Sequence, residues 1–160
     1  SVLYSLEIPP TGGDTFFASQ YAALDRLPAP LRQAIEGREA NHDSSCTSAG
    51  ELRVGASPVT DVSKAPGARH PIVLNHPESG RDALFLGRRT NAYICGLPLA
   101  ESEQLLDQLW AKCTEPELVY RHQWQVGDVL MWDNRCVLHR RDAFDAGARR
   151  IMHRTQINAR

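Results

Sequence analysis

Trp132-Asp133-Asn134-Arg135-Cys136-Val137-Leu138-His139, followed by Arg149-Arg150-Ile151-Met152-His153-Arg154, is the densest group of chemically useful side chains in the sequence. Asp133-Asn134 is a turn signal, because both side chains can hydrogen-bond nearby backbone and tolerate unusual dihedrals. Val137-Leu138 then resumes an extended apolar run with His139 at its end. After a polar connector from Asp142 to Gly147, a second run alternates from Arg150 to Ile157. Strand side chains alternate faces, so Arg150, Met152, Arg154 and Gln156 share one face and Ile151, His153, Thr155 and Ile157 the other. Two guanidiniums on one strand face, beside a strand ending in histidine, make a pocket for an anion next to a candidate metal ligand. Taken singly, a strand-end histidine and an arginine pair are more often surface residues. The rest of the chain has to decide between the two readings.

Outward from this stretch, many short apolar runs separated by turn residues point to a mainly β fold. Val2 to Ile8 is a predicted strand, ended by Pro9-Pro10-Thr11-Gly12-Gly13, since proline cannot donate to a sheet ladder. Asp14 to Ala18 is a second short strand. Ser19 can cap a helix running to about Leu27, and Pro28 to Gly37 fits another short helix with Gly37 as its stop. From Arg38 to Ala68 periodicity is lost and Ser, Thr, Gly, Pro and Ala dominate; the expectation is a mobile lid loop over residues 38–68. His70 to Asn75 and Ala83 to Gly87 form a predicted hairpin-type pair around His76-Pro77-Glu78-Ser79-Gly80. Glu101 to Cys113 is the clearest helix, with Leu105, Leu106, Leu109 and Cys113 on its apolar face. Leu118 to Trp124 alternates as a strand, and Val129 to Trp132 is expected to be a buried one. One long helix among many strands argues for a single-domain β-sandwich or barrel with helical decoration.

Composition sets outer limits. At 160 residues the chain has the length of one domain, and 42% hydrophobic with 23% charged residues is ordinary for a globular protein. A net charge of −1 gives no electrostatic case for nucleic acid or an anionic membrane. Apolar runs fall short of the length that spans a bilayer. Cys46, Cys95, Cys113 and Cys136 are scattered without a C-x-x-C pair, which fits a reducing, cytoplasmic setting better than a disulfide framework.

Trp132-Asp133-Asn134-Arg135-x-x-x-His139, with arginines eleven and fifteen residues beyond the histidine, resembles the C-terminal signature of the taurine and aryloxyalkanoate dioxygenase family. Those are Fe(II)- and 2-oxoglutarate-dependent oxygenases. Gly12-Gly13-Asp14-Thr15, His70-Pro71-Ile72-Val73, His76-Pro77 with Gly80, and Gly127-Asp128 match further family segments in order. The resemblance implies a double-stranded β-helix, or jelly roll. It implies that His139 is the distal iron ligand and that Arg150 and Thr15 hold the distal carboxylate of 2-oxoglutarate. Arg154 would meet the anionic group of a small organic substrate, an alkylsulfonate or aryloxyalkanoate, oxidised with dioxygen to give succinate and carbon dioxide as co-products.

One departure stands out. The family's His-x-Asp iron-ligand pair has no match here: the sequence contains no His-x-Asp, and the pair would fall upstream of Ser1. His42-Asp43 has the wrong spacing, since adjacent strand residues point to opposite faces. His76-Pro77-Glu78 has the letters but sits in a proline turn. The chain is therefore expected to be the C-terminal portion of such an enzyme, incomplete at its N-terminus and with room for a homo-oligomer. The alternative is a non-catalytic jelly-roll module that binds a small carboxylate or a protein partner.

Overall fold

The computed structural model describes residues 1–87 and 90–157. In chain order its strands and helices are β1 (Val2–Glu7), β2 (Thr15–Ser19), α1 (Gln20–Arg26), α2 (Ala29–Ala34), β3 (Glu39–Asp43), β4 (Gly67–Pro71), β5 (Val73–Asn75), β6 (Asp82–Leu84), β7 (Tyr93–Ile94), α3 (Leu99–Cys113), β8 (Val119–His122), β9 (Val129–Met131), β10 (Val137–Arg141) and β11 (Ile151–Thr155). The architecture is mainly β with helical decoration.

The strand pairing is strongly non-local. β1 lies between β11 and β9, and β2 lies between β10 and β8, all antiparallel. The first two strands of the chain are thus central to sheets whose other members come from its last third. That pairing carries Gly12-Gly13-Asp14-Thr15 onto the C-terminal signature. A third sheet has the order β4-β3-β7, and β5 and β6 form a separate hairpin.

Local chemistry explains the element ends. Ser19 has an extended backbone, and its hydroxyl accepts the Ala22 amide at 3.3 Å, starting α1 where predicted. α3 buries Leu106, Leu109 and Cys113 against Leu24, Ile35, Leu84 and Ile94. Each large apolar side chain so buried contributes roughly 1.5–3 kcal/mol. Burial pushes the Cys113 thiol up to about 12, so it packs as a neutral hydrophobe.

Three sequence expectations need correction. The stretch 38–68 is not one loop. Its first part is β3, the central strand of its sheet, and only 44–66 is irregular, apart from a helical turn at Val62–Lys64. Glu39-Ala40-Asn41-His42-Asp43 is polar, so hydrophobic alternation cannot reveal it. Its buried Asn41 instead donates to the Ala65 carbonyl at 3.2 Å, and buried Asp43 accepts from the Ser45 amide and hydroxyl. Next, Val129 to Trp132 is not a buried strand. Among the described residues β9 is an edge strand that pairs with β1, and Val129 and Met131 stand 63% and 72% exposed. Tyr4, Leu6 and Ile151 are exposed in the same sheet. Finally, His70 to Asn75 is broken at buried Ile72, so β4 joins β3 while β5 pairs with β6.

Candidate functional site

The turn before β2 depends on two glycines. Gly12 and Gly13 have φ of +74° and +72°, a left-handed region that other residues enter at a cost. A Cβ on Gly12 would lie 2.5 Å from the Ala143 carbonyl oxygen, and one on Gly13 would lie 3.4 Å from Cδ and Nε of Arg150. The glycines let the turn press against the connector between β10 and β11 and against the Arg150 side chain. Asp14 follows and accepts from Arg121 Nε at 2.7 Å, anchoring the turn to β8.

Thr15 opens β2 and is 3% exposed. Its Oγ1 accepts the indole N–H of buried Trp124 at 2.9 Å. Trp124 in turn lies under the Arg150 guanidinium, whose Cζ is 5.8 Å from the ring centroid. Arg150 sits immediately before β11, half-buried, and its buried Nε has no hydrogen-bond partner. Burial, and then the like charge of Arg141, hold the Arg150 pKa below its ordinary value. A half-buried guanidinium with an unmatched N–H beside a second cation calls for an anion.

His139 lies in β10 directly opposite Phe17 of β2, with Arg141 opposite Thr15. By alternation His139, Arg141, Thr15 and Phe17 share one sheet face. The His139 ring packs against Trp132 (centroids 4.9 Å apart) and Phe17 (6.4 Å) while keeping an accessible edge. Burial, then the charge of Arg154, lowers its pKa. Neutral imidazole is the form a metal needs. Arg154 is paired in backbone register with Leu3, is exposed, and reaches His139 electrostatically. The four residues singled out in the sequence thus fall into two linked groups, Thr15 with Arg150 through Trp124, and His139 with Arg154.

Trp124 and Arg141 were not singled out in the sequence. Trp124 reads there only as one more alternating strand residue. Arg141 could have been found, because it lies two residues from His139 and so on its face. A groove of about 400 Å³ touches His139 but runs mainly along the other face of that sheet, past Phe16, Ala18, Leu138 and Trp110.

The donors fit a carboxylate at Thr15 and Arg150, and they fit one ligand of a metal at His139. Among the described residues, three metal-ligating atoms come together only at His76, Asp133 and Cys136, a group that does not include His139. There Asp133 is held by Arg135, with Arg135 Nη2 at 2.5 Å and Nε at 3.0 and 3.1 Å, and His76 Nε2 lies 3.1 Å from its Oδ2. His76 Nδ1 is 3.4 Å from Glu78. His76-Pro77-Glu78 therefore belongs to an ion-paired clamp on Asp133.

Residues 1–156 match the taurine catabolism dioxygenase TauD, TfdA family. The chain belongs to that family. It is 42% identical over 159 residues to the alpha-ketoglutarate-dependent 2,4-dichlorophenoxyacetate dioxygenase of Cupriavidus pinatubonensis, covering 96% of this chain and 53% of that protein. It is 37% identical to the (S)-phenoxypropionate/alpha-ketoglutarate-dioxygenase of Sphingobium herbicidovorans, covering 97% and 56%. Among solved structures, AAD-2 in complex with Mn(II) and N-oxalylglycine superposes with a TM-score of 0.81 at 32% identity, covering 95% of this chain and 60% of that one. A taurine dioxygenase from Burkholderia xenovorans gives 0.76 at 32%, covering 94% and 49%. The fold of this TauD/TfdA-family chain is accordingly a jelly roll. The chain spans about half the length of the relatives it matches.

Proposed function

We propose that this chain carries the 2-oxoglutarate-binding face and the distal iron ligand of an Fe(II)- and 2-oxoglutarate-dependent dioxygenase acting on a small organic anion. The observation that carries the proposal is the connected unit Thr15–Trp124–Arg150, with Thr15 on the same face of the β2–β10 pair as His139. Arg150 and Thr15 would hold the distal carboxylate, the guanidinium through a charge-assisted pair and the hydroxyl through a donated hydrogen bond. Neutral His139 would ligate Fe(II), and Arg154 would meet the substrate's anionic group. When bound, iron and 2-oxoglutarate supply the oxidising chemistry with dioxygen, and succinate and carbon dioxide leave as co-products. The aromatic rings of Phe17 and Trp132 pack against the His139 ring and orient the imidazole, leaving its accessible edge for the metal.

The names of the relatives support an aryloxyalkanoate as the anion, and the family's name supports a sulfonate. The irregular segment 44–66 is proposed as a lid over the substrate. Four free cysteines support a reducing compartment, the cytoplasm. The test is succinate formation from 2-oxoglutarate by the gene's full product with Fe(II), across a panel of aryloxyalkanoates and alkylsulfonates. Substrate-stimulated succinate, abolished by His139→Ala, is expected. Carboxylate binding without any turnover would return the non-catalytic reading.

A further inference from the structure

We infer that Trp124 is a positioning residue for the carboxylate proposed above, holding the Thr15 hydroxyl and the Arg150 guanidinium so that both donate to one anion. The inference rests on the reading of Thr15 and Arg150 as the 2-oxoglutarate site. It adds a residue that the reading alone does not require.

The indole nitrogen can only donate, whereas a threonine hydroxyl has one hydrogen to give and two lone pairs. With Trp124 Nε1 at 2.9 Å, Thr15 Oγ1 is an acceptor in that contact, so its own hydrogen must point elsewhere. Among the described residues, Thr15 Oγ1 makes no other hydrogen bond. Both side chains are buried, Thr15 to 3% and Trp124 to 7% exposure, so water does not readily replace either partner. A buried hydroxyl whose hydrogen is turned away from its neighbour is a donor prepared for a ligand.

The other end of the indole treats Arg150 in the same way. The guanidinium lies within cation–π distance of the ring, 5.8 Å from centroid to Cζ. The Arg150 stem passes the turn where Gly13 lacks a Cβ, so it is confined between backbone and ring. The indole itself is braced. His122 packs edge-on to it at 4.7 Å and 87°, and His122 Nε2 lies 3.0 Å from Asp128 Oδ2. His122 also stands opposite Thr15 in register, and Trp124 follows two residues after the end of β8, so the brace, the indole and the hydroxyl meet at the end of the β2–β8 pair. Such support is what holds a binding geometry to a fraction of an ångström.

The experiment is calorimetric titration of 2-oxoglutarate into the 160-residue chain and four variants. Trp124→Phe keeps a ring and loses the donor, Thr15→Val loses the hydroxyl, the double variant loses both, and Arg150→Gln loses the cation. Melting midpoints check that each is folded. Trp124→Phe should weaken binding about tenfold, Thr15→Val by at least as much, and the double variant no more than Thr15→Val alone. That lack of additivity is what a general loosening of the fold would not produce. Equal affinity in Trp124→Phe, or additive losses in the double variant, overturns the inference, even where Arg150→Gln abolishes binding and upholds the site. Wild-type protein that does not bind, or Arg150→Gln that binds unchanged, overturns the site and this inference together. Should Trp124→Phe fail to fold, the wild-type indole N–H resonance of Trp124 decides: it should shift and exchange more slowly with 2-oxoglutarate, and an unchanged resonance overturns the inference.

Discussion

Arg141 stands directly opposite Thr15 across the β2–β10 pair, and its charge acts on Arg150. Two guanidiniums of like sign beside a buried hydroxyl repel one another until an anion joins them. Arg141 itself is exposed, with Nη1 on the Asp142 carbonyl and the guanidinium 4.7 Å from the Phe144 ring. Its expected part is attraction at a distance. Arg141→Gln should weaken 2-oxoglutarate binding by roughly threefold at low salt and by less as screening rises. Titrations at two ionic strengths check this; a loss that is large and independent of salt would mean direct contact.

Among the described residues, His139 is the candidate iron ligand beside the proposed carboxylate site, and no cluster of ligating atoms includes it. Titration of Mn(II), followed by its electron paramagnetic signal, should show no stoichiometric binding at micromolar metal. Tight one-to-one binding lost in His139→Ala would mean that other groups of this chain complete a site there.

Asp133 ties the C-terminal signature together, accepting from the Arg135 amide at 2.9 Å as well as from its guanidinium and facing His76. Arg135, first among its causes, holds the Asp133 carboxyl far below the usual carboxylate range. Asp133→Asn should lower stability by roughly 1–3 kcal/mol, read from urea midpoints. An unchanged midpoint would show the clamp to be dispensable.

His42 supplies a pH dependence. Burial first, then the neighbouring His70, lower its pKa from 6.5 to about 4, and its Nε2 is buried without a partner. Between those values the unfolded chain takes up a proton that the folded chain refuses. Stability is therefore unaffected above about pH 6.5, falls as pH drops towards 4, and changes no further below that through this group. The loss should be on the order of 1–3 kcal/mol. Denaturation midpoints from pH 7 to 4 should slope less in His42→Phe than in wild type; parallel slopes would contradict the assignment.

The segment 44–66 should exchange its amides faster than β3, which precedes it, because few of its backbone groups lie in ladders. Hydrogen exchange followed by mass spectrometry checks this. Protection equal to that of Glu39–Asp43 would argue against a lid.

How much was legible in the sequence follows from what each element is made of. Strands rich in Val, Leu and Ile, the Ser19 cap and the α3 stripe declare themselves by period and capping chemistry. β3 does not, because Asn41 and Asp43 are buried through hydrogen bonds that a hydropathy pattern cannot register. β9 misled for the opposite reason: Val129 and Met131 are apolar, yet among the described residues both stand exposed. His139, Thr15, Arg150 and Arg154 are singled out in the sequence by the resemblance of their motifs to a family signature, and their roles stand as proposals. Trp124 was hidden because its role comes from a partner 109 residues away in sequence, reached only once β2 and β8 pair.

The central claim is that Thr15 and Arg150 form the 2-oxoglutarate carboxylate site beside His139. A crystal structure of this chain soaked with 2-oxoglutarate tests it most directly. One carboxylate of the ligand is expected on the Arg150 guanidinium and the Thr15 hydroxyl, with the indole N–H of Trp124 still on Thr15. Ligand density elsewhere, with Arg150 and Thr15 untouched, would contradict it.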